Sequence, residues 1–424
     1  MNIRLSIVED ALNKYFESGD FNGLPVRAIA RKHGISAGEL DPDLRALVQD
    51  EKIEIWFGNI HPNPHIKAFS WVTKEQQIEF LDSIGLSDDC CVYPSKKTLE
   101  KEPRVAGYLD RPYAHEIAKG AGQLDHRTFE LSVLEFYRND PRYYYQTDDI
   151  NGSICIEDAF YESEEIQERD QVLLKTFGFA YDSEFNRFAA SFIRYLADLS
   201  SEHQQIWKAK EVSGKHTLHP DYYRTNIIGD WGIKVSIFEA FTEELSIINE
   251  MCKLIGRPVL FRQTFAESRP KKFGFLLRPT LSEFNAFVLL LDQMLSDNIN
   301  SGFFTDIDKE QEEERPDGKI VVRQKGTIAM LEEWVNRNFR PHDPEPVEFL
   351  FKTLRRVRKL RQKPAHAINE DAFDQKYFKE QRSLVMDSYN AVRLIRLILS
   401  NHPAVRKSPP EVSEYVRDGK IWDI

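Results

Sequence analysis

The sequence predicts an α+β protein of several domains, and three observations carry that reading. Its 424 residues exceed what a single hydrophobic core usually serves. Short helical patterns and strand-like runs are mixed through the first two thirds of the chain. From Thr280 onward the pattern changes to longer helical segments separated by polar breaks. The expected divisions are an N-terminal domain over 1–72, a central mixed α/β domain over 73–279, an antiparallel helical bundle over 280–403, and a tail over 404–424.

Hydrophobic residues make up 41% of the chain and aromatics 12%, enough to fill real cores, which excludes a disordered protein. The formal charge of -11 excludes a protein that binds nucleic acid or anionic membrane with its whole surface, so any nucleic-acid contact has to be local. Cys90, Cys91, Cys155 and Cys252 show no paired C-x-x-C spacing, so no zinc site and no disulfide framework is expected. Met1 to Asp10 mixes charged and apolar residues, and no apolar run approaches the roughly 20 residues that span a bilayer. The expectation is a soluble, cytoplasmic protein of bacterial type, with no membrane contact.

Residues 1–72 read as helix, helix, helix, hairpin. Ile7, Leu12 and Tyr15-Phe16 give the first helical face; Val26 to His33 is a short helix closed by Gly34; Ser36 begins a third carrying Leu40, Leu44, Leu47 and Val48. Ile53 to Phe57 and His65 to Phe69 then read as two strands around a turn. This order, with Ala28 to Ser36 as the helix-turn-helix segment, resembles a winged helix. The resemblance implies a third helix placed for the DNA major groove. That helix, however, carries Glu39, Asp41, Asp43 and Asp50 against Arg45, so it meets phosphates with the wrong sign. Packing or protein contact is therefore expected in place of duplex binding.

In the central region, Glu75 to Ile84, Glu184 to Leu199 and Ile233 to Leu254 read as helices. Thr128 to Tyr137 and Tyr143 to Gln146 read as strand material, and Phe273 to Leu277 as a buried strand ended by Pro279. In the C-terminal region, Thr280 or Ser282 caps a helix through about Ile299, and helices follow over Thr327 to Asn338, Glu345 to Arg361, and about Phe373 to Ser400. Asp306 to Asp317 reads as a solvated, charged loop, and the chain after Pro403 as a loosely held tail.

Chemistry is concentrated at the end of the helix from Glu345. Val347, Leu350, Leu354 and Val357 form one apolar stripe, and Arg361 continues it, so its guanidinium is aimed at a groove or a partner. The opposite face carries Lys352, Arg355, Arg356, Arg358 and Lys359, a basic strip on an acidic protein. Pro364 ends the helix by Lys363, and His366 follows just beyond. A guanidinium can meet charge growing on phosphoryl oxygens, and an imidazole can move the proton, without a metal.

A helical bundle with this Arg-x4-His spacing resembles the HEPN domain of prokaryotic toxin, abortive-infection and CRISPR-associated ribonucleases, over roughly Thr280 to Pro403. The resemblance implies metal-independent RNA cleavage by 2′-hydroxyl attack, leaving 2′,3′-cyclic phosphate ends, with no cofactor and no metal. It assigns catalysis to Arg361 and His366. Gln362, where the family often has Asn, Asp or His, and Lys363 are candidates for support, and Arg355, Arg358 and Lys359 for RNA binding. It also implies a homodimer through the bundle, with a neutralising or sensing protein as a further partner in a defence or stress system. The alternative is a noncatalytic regulator or assembly subunit whose bundle grips nucleic acid or only dimerises.

Weaker motifs complete the reading. Lys215 to His219 with Asp221 has metal-like spacing, but a surface loop with two histidines is the expected structure. Asp140 to Tyr145 sets three tyrosines beside Arg138 and Arg142, which suits base stacking, though one tyrosine of such a strand usually belongs to the core. Arg269 to Lys272 reads as a basic, solvated turn. Walker, dinucleotide, serine-elbow and kinase signatures are absent from the sequence.

Overall fold

The computed structural model describes residues 3–163, 167–230, 232, 234–314, 320–362 and 371–424. Its architecture is mixed α/β, in two compact units. One comprises Met1–Asp182 and Phe188–Tyr222; the other comprises Ser183–Arg187 and Tyr223–Ile424. The chain passes between the units after Asp182, Arg187 and Tyr222; the sequence reading placed its boundaries after 72, 279 and 403.

The first unit opens with α1 (Ile3–Glu17), β1 (Leu24–Pro25), α2 (Val26–His33), α3 (Ala37–Gln49), β2 (Ile53–Trp56), α4 (Lys74–Ser83) and β3 (Cys91–Pro94). Gly34 ends α2 in the left-handed conformation at φ 67°, and Ser36 with Glu39 forms a reciprocal cap that starts α3. Ile7, Ala11, Val26, Ile29, Leu40, Leu44 and Leu47 close one core with Ile53, Ile55 and Val92. The strands are antiparallel in the order β1-β3-β2, with Ile55 opposite Val92.

The second strand of the expected hairpin, His65 to Phe69, is not a strand. Its backbone is used elsewhere: the carbonyls of Lys67 and Ala68 accept from the amides of Gln123 and Leu124 at 2.6 and 2.7 Å. The buried Lys67 ammonium pairs with Glu54 and donates to the Gly120 carbonyl. The partner of β2 is β3, whose Cys91, Val92 and Tyr93 are fully buried.

A six-stranded sheet follows, built from β4 (His126–Phe129), β5 (Tyr143–Thr147), β6 (Asn151–Ile156), β7 (Leu173–Tyr181), β8 (Arg187–Phe192) and β9 (Thr217–Leu218). Its order is β4-β8-β7-β6-β5, with β9 paired to the end of β7. The helix expected over Glu184 to Leu199 is instead β8 and a short helix, Ile193–Ala197. Ala189, Ala190, Ser191 and Phe192 are buried in succession, so the strand lacks the two-residue alternation that would identify it. The run Thr128 to Tyr137 keeps strand character only to Phe129 and is helical from Leu131.

The second unit is mainly helical. Its elements include β10 (Val235–Ser236), α5 (Ile237–Leu254), α6 (Leu281–Met294), β11 (Glu310–Glu314), β12 (Ile320–Gln324), α7 (Thr327–Asn338), α8 (Glu345–Arg361), α9 (Gln375–Ser400) and β13 (Ile421–Trp422). The bundle is larger than expected, because α5, placed by the sequence in the central domain, packs along α9. Glu244 of α5, with no exposed surface, is ion-paired there with Arg396.

Phe273 to Leu277 is buried but is not a strand. The Gln381 side chain replaces a neighbouring strand, accepting from the Leu276 amide and donating to the Gly274 carbonyl, each at 2.9 Å. The helix capped by Thr280 stops at Met294, five residues earlier than expected. The expected charged loop includes β11, which pairs antiparallel with β12; Val321 and Val322 supply β-branched partners for its acidic strand. The expected loose tail is tied down. β13 pairs parallel with β10, and Arg382 holds the carbonyl and carboxylate of Asp423 at 2.8 and 2.7 Å. Among the described residues no helix is long and apolar enough to cross a membrane.

Candidate functional site

The site grows from the last turn of α8. Leu350, Phe351, Thr353, Leu354 and Val357 face the core, which turns Arg358 and Arg361 toward α6. The helix ends at Arg361 with Gln362 as its cap, and Arg358, Lys359 and Arg361 complement the negative end of the helix dipole.

Arg361 is not directed at open water. Its Nη1 lies 2.7 Å from Oδ2 of Asp292 and also donates to Asp297. Arg358 reaches the same two acids: Nη2 donates to Oδ1 of Asp297 at 2.7 Å, and Nε lies 3.2 Å from Oδ1 of Asp292. Asp292 has no exposed surface, whereas Asp297 is 39% exposed. Arg262 adds a third guanidinium, its Nη1 donating to the Asp297 carbonyl at 3.1 Å. Two guanidiniums thus converge on two carboxylates, with Arg262 held beside them on a backbone carbonyl, so these five groups carry one net positive charge.

Proton affinities follow from these contacts. Hydrogen bonding to Asp292 and then Asp297 raises the Arg361 pKa, so the guanidinium stays charged. Burial pushes the Asp297 carboxyl up, but the bonds from Arg361 and Arg358 outweigh it and hold the group below the usual aspartate range. Arg361 engages both acids through Nη1. Its Nε and Nη2 have no partner among the described residues, and a third of the side chain is exposed. Among the described residues nothing occupies that edge of the guanidinium, which can take a ligand.

The other expected site residues divide. Lys363 and His366 lie outside the described residues. Gln362 is exposed at the helix end, with its side-chain amide unpaired among the described residues. Of the expected RNA-binding strip, Arg355 pairs with Glu332 of α7 and Arg358 with the aspartates. Arg356 of the same face pairs with Asp387 of α9 at 2.7 Å. Lys352 and Lys359 have no ion-pair partner among the described residues. The strip is thus largely neutralised by acids on neighbouring helices, which reading one helix alone does not reveal.

Sequence reasoning missed Asp292 and Asp297. The available signal was a carboxylate inside the apolar run Val288 to Leu295, a placement tolerated when the acid is paired.

The weaker motifs resolve into structure. His219 is fully buried, contrary to the expected surface loop, and its Nδ1 accepts from the Asp221 amide; His216 packs edge-on against Phe188. No group of three metal-ligating side chains occurs among the described residues. Tyr143 is core, in contact with His203, and Tyr144 is exposed, while Arg142 is bound to Asp140. The Arg269 guanidinium lies over the Phe238 ring. No family model matches the chain, and neither a curated protein nor a solved structure shows a significant match to it.

Proposed function

We propose that the chain is a metal-independent endoribonuclease of the HEPN kind, acting in a bacterial defence or stress system. The observation that carries this reading is the open edge of Arg361, held by two aspartates beside a net positive charge, two residues before the segment that contains His366. A guanidinium already fixed in place costs no reorganisation when phosphoryl charge develops.

In the proposed reaction His366 removes the proton from a ribose 2′-hydroxyl, whose oxygen attacks the adjacent phosphorus. The bond to the 5′-oxygen breaks and that oxygen takes up a proton, giving a 2′,3′-cyclic phosphate and a 5′-hydroxyl. Arg361 meets the charge on the non-bridging oxygens. Substrate is single-stranded or looped RNA, in which the 2′-hydroxyl can rotate in line with the leaving oxygen. The reading places the protein in the cytoplasm and pairs two bundles so that two Arg/His sets face one cleft. The order β1-β3-β2 with three helices supports a winged-helix reading of the N-terminus. Its Arg45 is bound to Asp41 and Asp82, which favours a protein contact over duplex DNA.

A second reading is a noncatalytic, RNA-gripping or dimerising subunit, favoured by the pairing of Arg355, Arg356 and Arg358 with acids. Incubating the protein with labelled RNA in EDTA separates the two. A HEPN-like nuclease cuts and leaves cyclic phosphate ends, and His366→Ala abolishes cutting while circular dichroism is unchanged. Binding without turnover supports the second reading, and unchanged cutting by His366→Ala removes the mechanism.

A further inference from the structure

Beside the arginine cluster lies a cavity of about 290 Å³, lined by Arg262, Gln263 and Phe265 on one side and by Leu290, Gln293, Met294, Asp297 and Asn298 on the other. It shares Asp297 with Arg361 and Arg358, so it opens directly next to the proposed catalytic arginine. Its size lies near the low end of the roughly 300–1,000 Å³ typical of small-molecule sites, which suits one nucleobase.

The lining has the chemistry of base recognition. Phe265 holds a left-handed backbone at φ 60°, unusual for an aromatic residue and of a kind that clusters at ligand clamps. Its ring stacks on no other ring among the described residues, leaving a face for a base. The side-chain amides of Gln263 and Gln293 have no hydrogen-bond partner among the described residues, so each offers a donor and an acceptor. The segment is positioned by a reciprocal link: the Gln263 amide donates to Asn298 Oδ1 at 2.9 Å, and Asn298 Nδ2 donates to the Gln263 carbonyl at 2.7 Å. Arg262, tied by Nη1 to the Asp297 carbonyl, has no carboxylate partner among the described residues and can meet a phosphate.

We propose that this cavity is a nucleotide subsite that takes one unstacked ribonucleotide base, stacked on Phe265 and read by Gln263 and Gln293. The assignment rests on the ribonuclease reading for its place in catalysis, but not for its binding chemistry. Single-stranded RNA is read in this manner, by aromatic stacking and by hydrogen bonds to base edges.

The test is calorimetric titration of the four ribonucleoside 3′-monophosphates into the full chain, into the Gln263→Ala/Gln293→Ala double variant and into Phe265→Ala, with mapping of RNA cleavage sites in parallel. Both glutamines are exposed, so the double variant should fold, and circular dichroism verifies it. The expected result is unequal affinity for the four nucleotides, lost in the double variant, with binding weakened about tenfold in Phe265→Ala. Equal affinities that neither variant changes overturn the subsite; if that protein still cuts RNA, the nuclease reading stands alone. Discriminating, variant-sensitive binding by a protein that leaves RNA intact supports the subsite and sinks the nuclease.

Discussion

Removing the buried carboxylate beneath Arg361 should be costly in a way that depends on the arginine. In Asp292→Asn the side chain keeps its size but loses its charge, and the hydrogen bond from Arg361 at 2.7 Å no longer joins two ions. Such bonds contribute about 1.5–3 kcal/mol. Arg361 is a third exposed, so solvent screens part of this, and about 2 kcal/mol is the working figure. In a unit of roughly 200 residues that corresponds to a fall of about 4–8 °C in melting temperature. The assay is a double-mutant cycle with Arg361→Gln, read by thermal and urea unfolding and by hydrogen exchange of α6 and α8. The expected coupling is about 1–2 kcal/mol, against about 0–1 kcal/mol for the more exposed Arg355–Glu332 pair. Single effects that add within about 0.5 kcal/mol would show that Asp292 does not hold Arg361.

Two further perturbations test the fold. Burial raises the Glu244 pKa above its ordinary value, so the folded form binds that proton more tightly than the unfolded chain. Its contribution to stability therefore declines as pH rises from about 4.3 through the raised value, and Glu244→Gln should flatten that slope in denaturation series; an unchanged slope refutes the assignment. A methyl added at Gly178 would sit 2.4 Å from Tyr222 ring carbons, so Gly178→Ala should destabilise the sheet-containing unit by about 1–3 kcal/mol, and an unaltered thermal transition would show that the ring yields freely.

The long amphipathic helices were the most legible part of the chain. Thr327–Asn338 and Glu345–Arg361 have the expected limits, because their apolar stripes are regular and proline or a polar break bounds them. Strand pairing was less legible. Nothing local in Ile53 to Trp56 shows that its partner is Cys91–Pro94, beyond an intervening helix, and β8 is too thoroughly buried to show alternation. At the candidate site, Arg361 could be found from one stripe, but Asp292 and Asp297 lie more than sixty residues away in sequence. The pairing of Arg355, Arg356 and Arg358 depends on three other helices. Charge counted along a helix does not reveal charge cancelled across a bundle.

The five residues Ser183–Arg187, grouped with the helical unit though flanked in sequence by the other, set a rule for dissecting this protein. The backbone crosses from one unit to the other three times, so no single cut releases two whole pieces. A fragment beginning at Tyr223 would lack Arg187, whose guanidinium donates to the Leu276 carbonyl and lies over the rings of Phe275 and Phe378. Isolating the helical half for crystallography or labelling calls for a grafted linker or a circularly permuted gene that carries those five residues along.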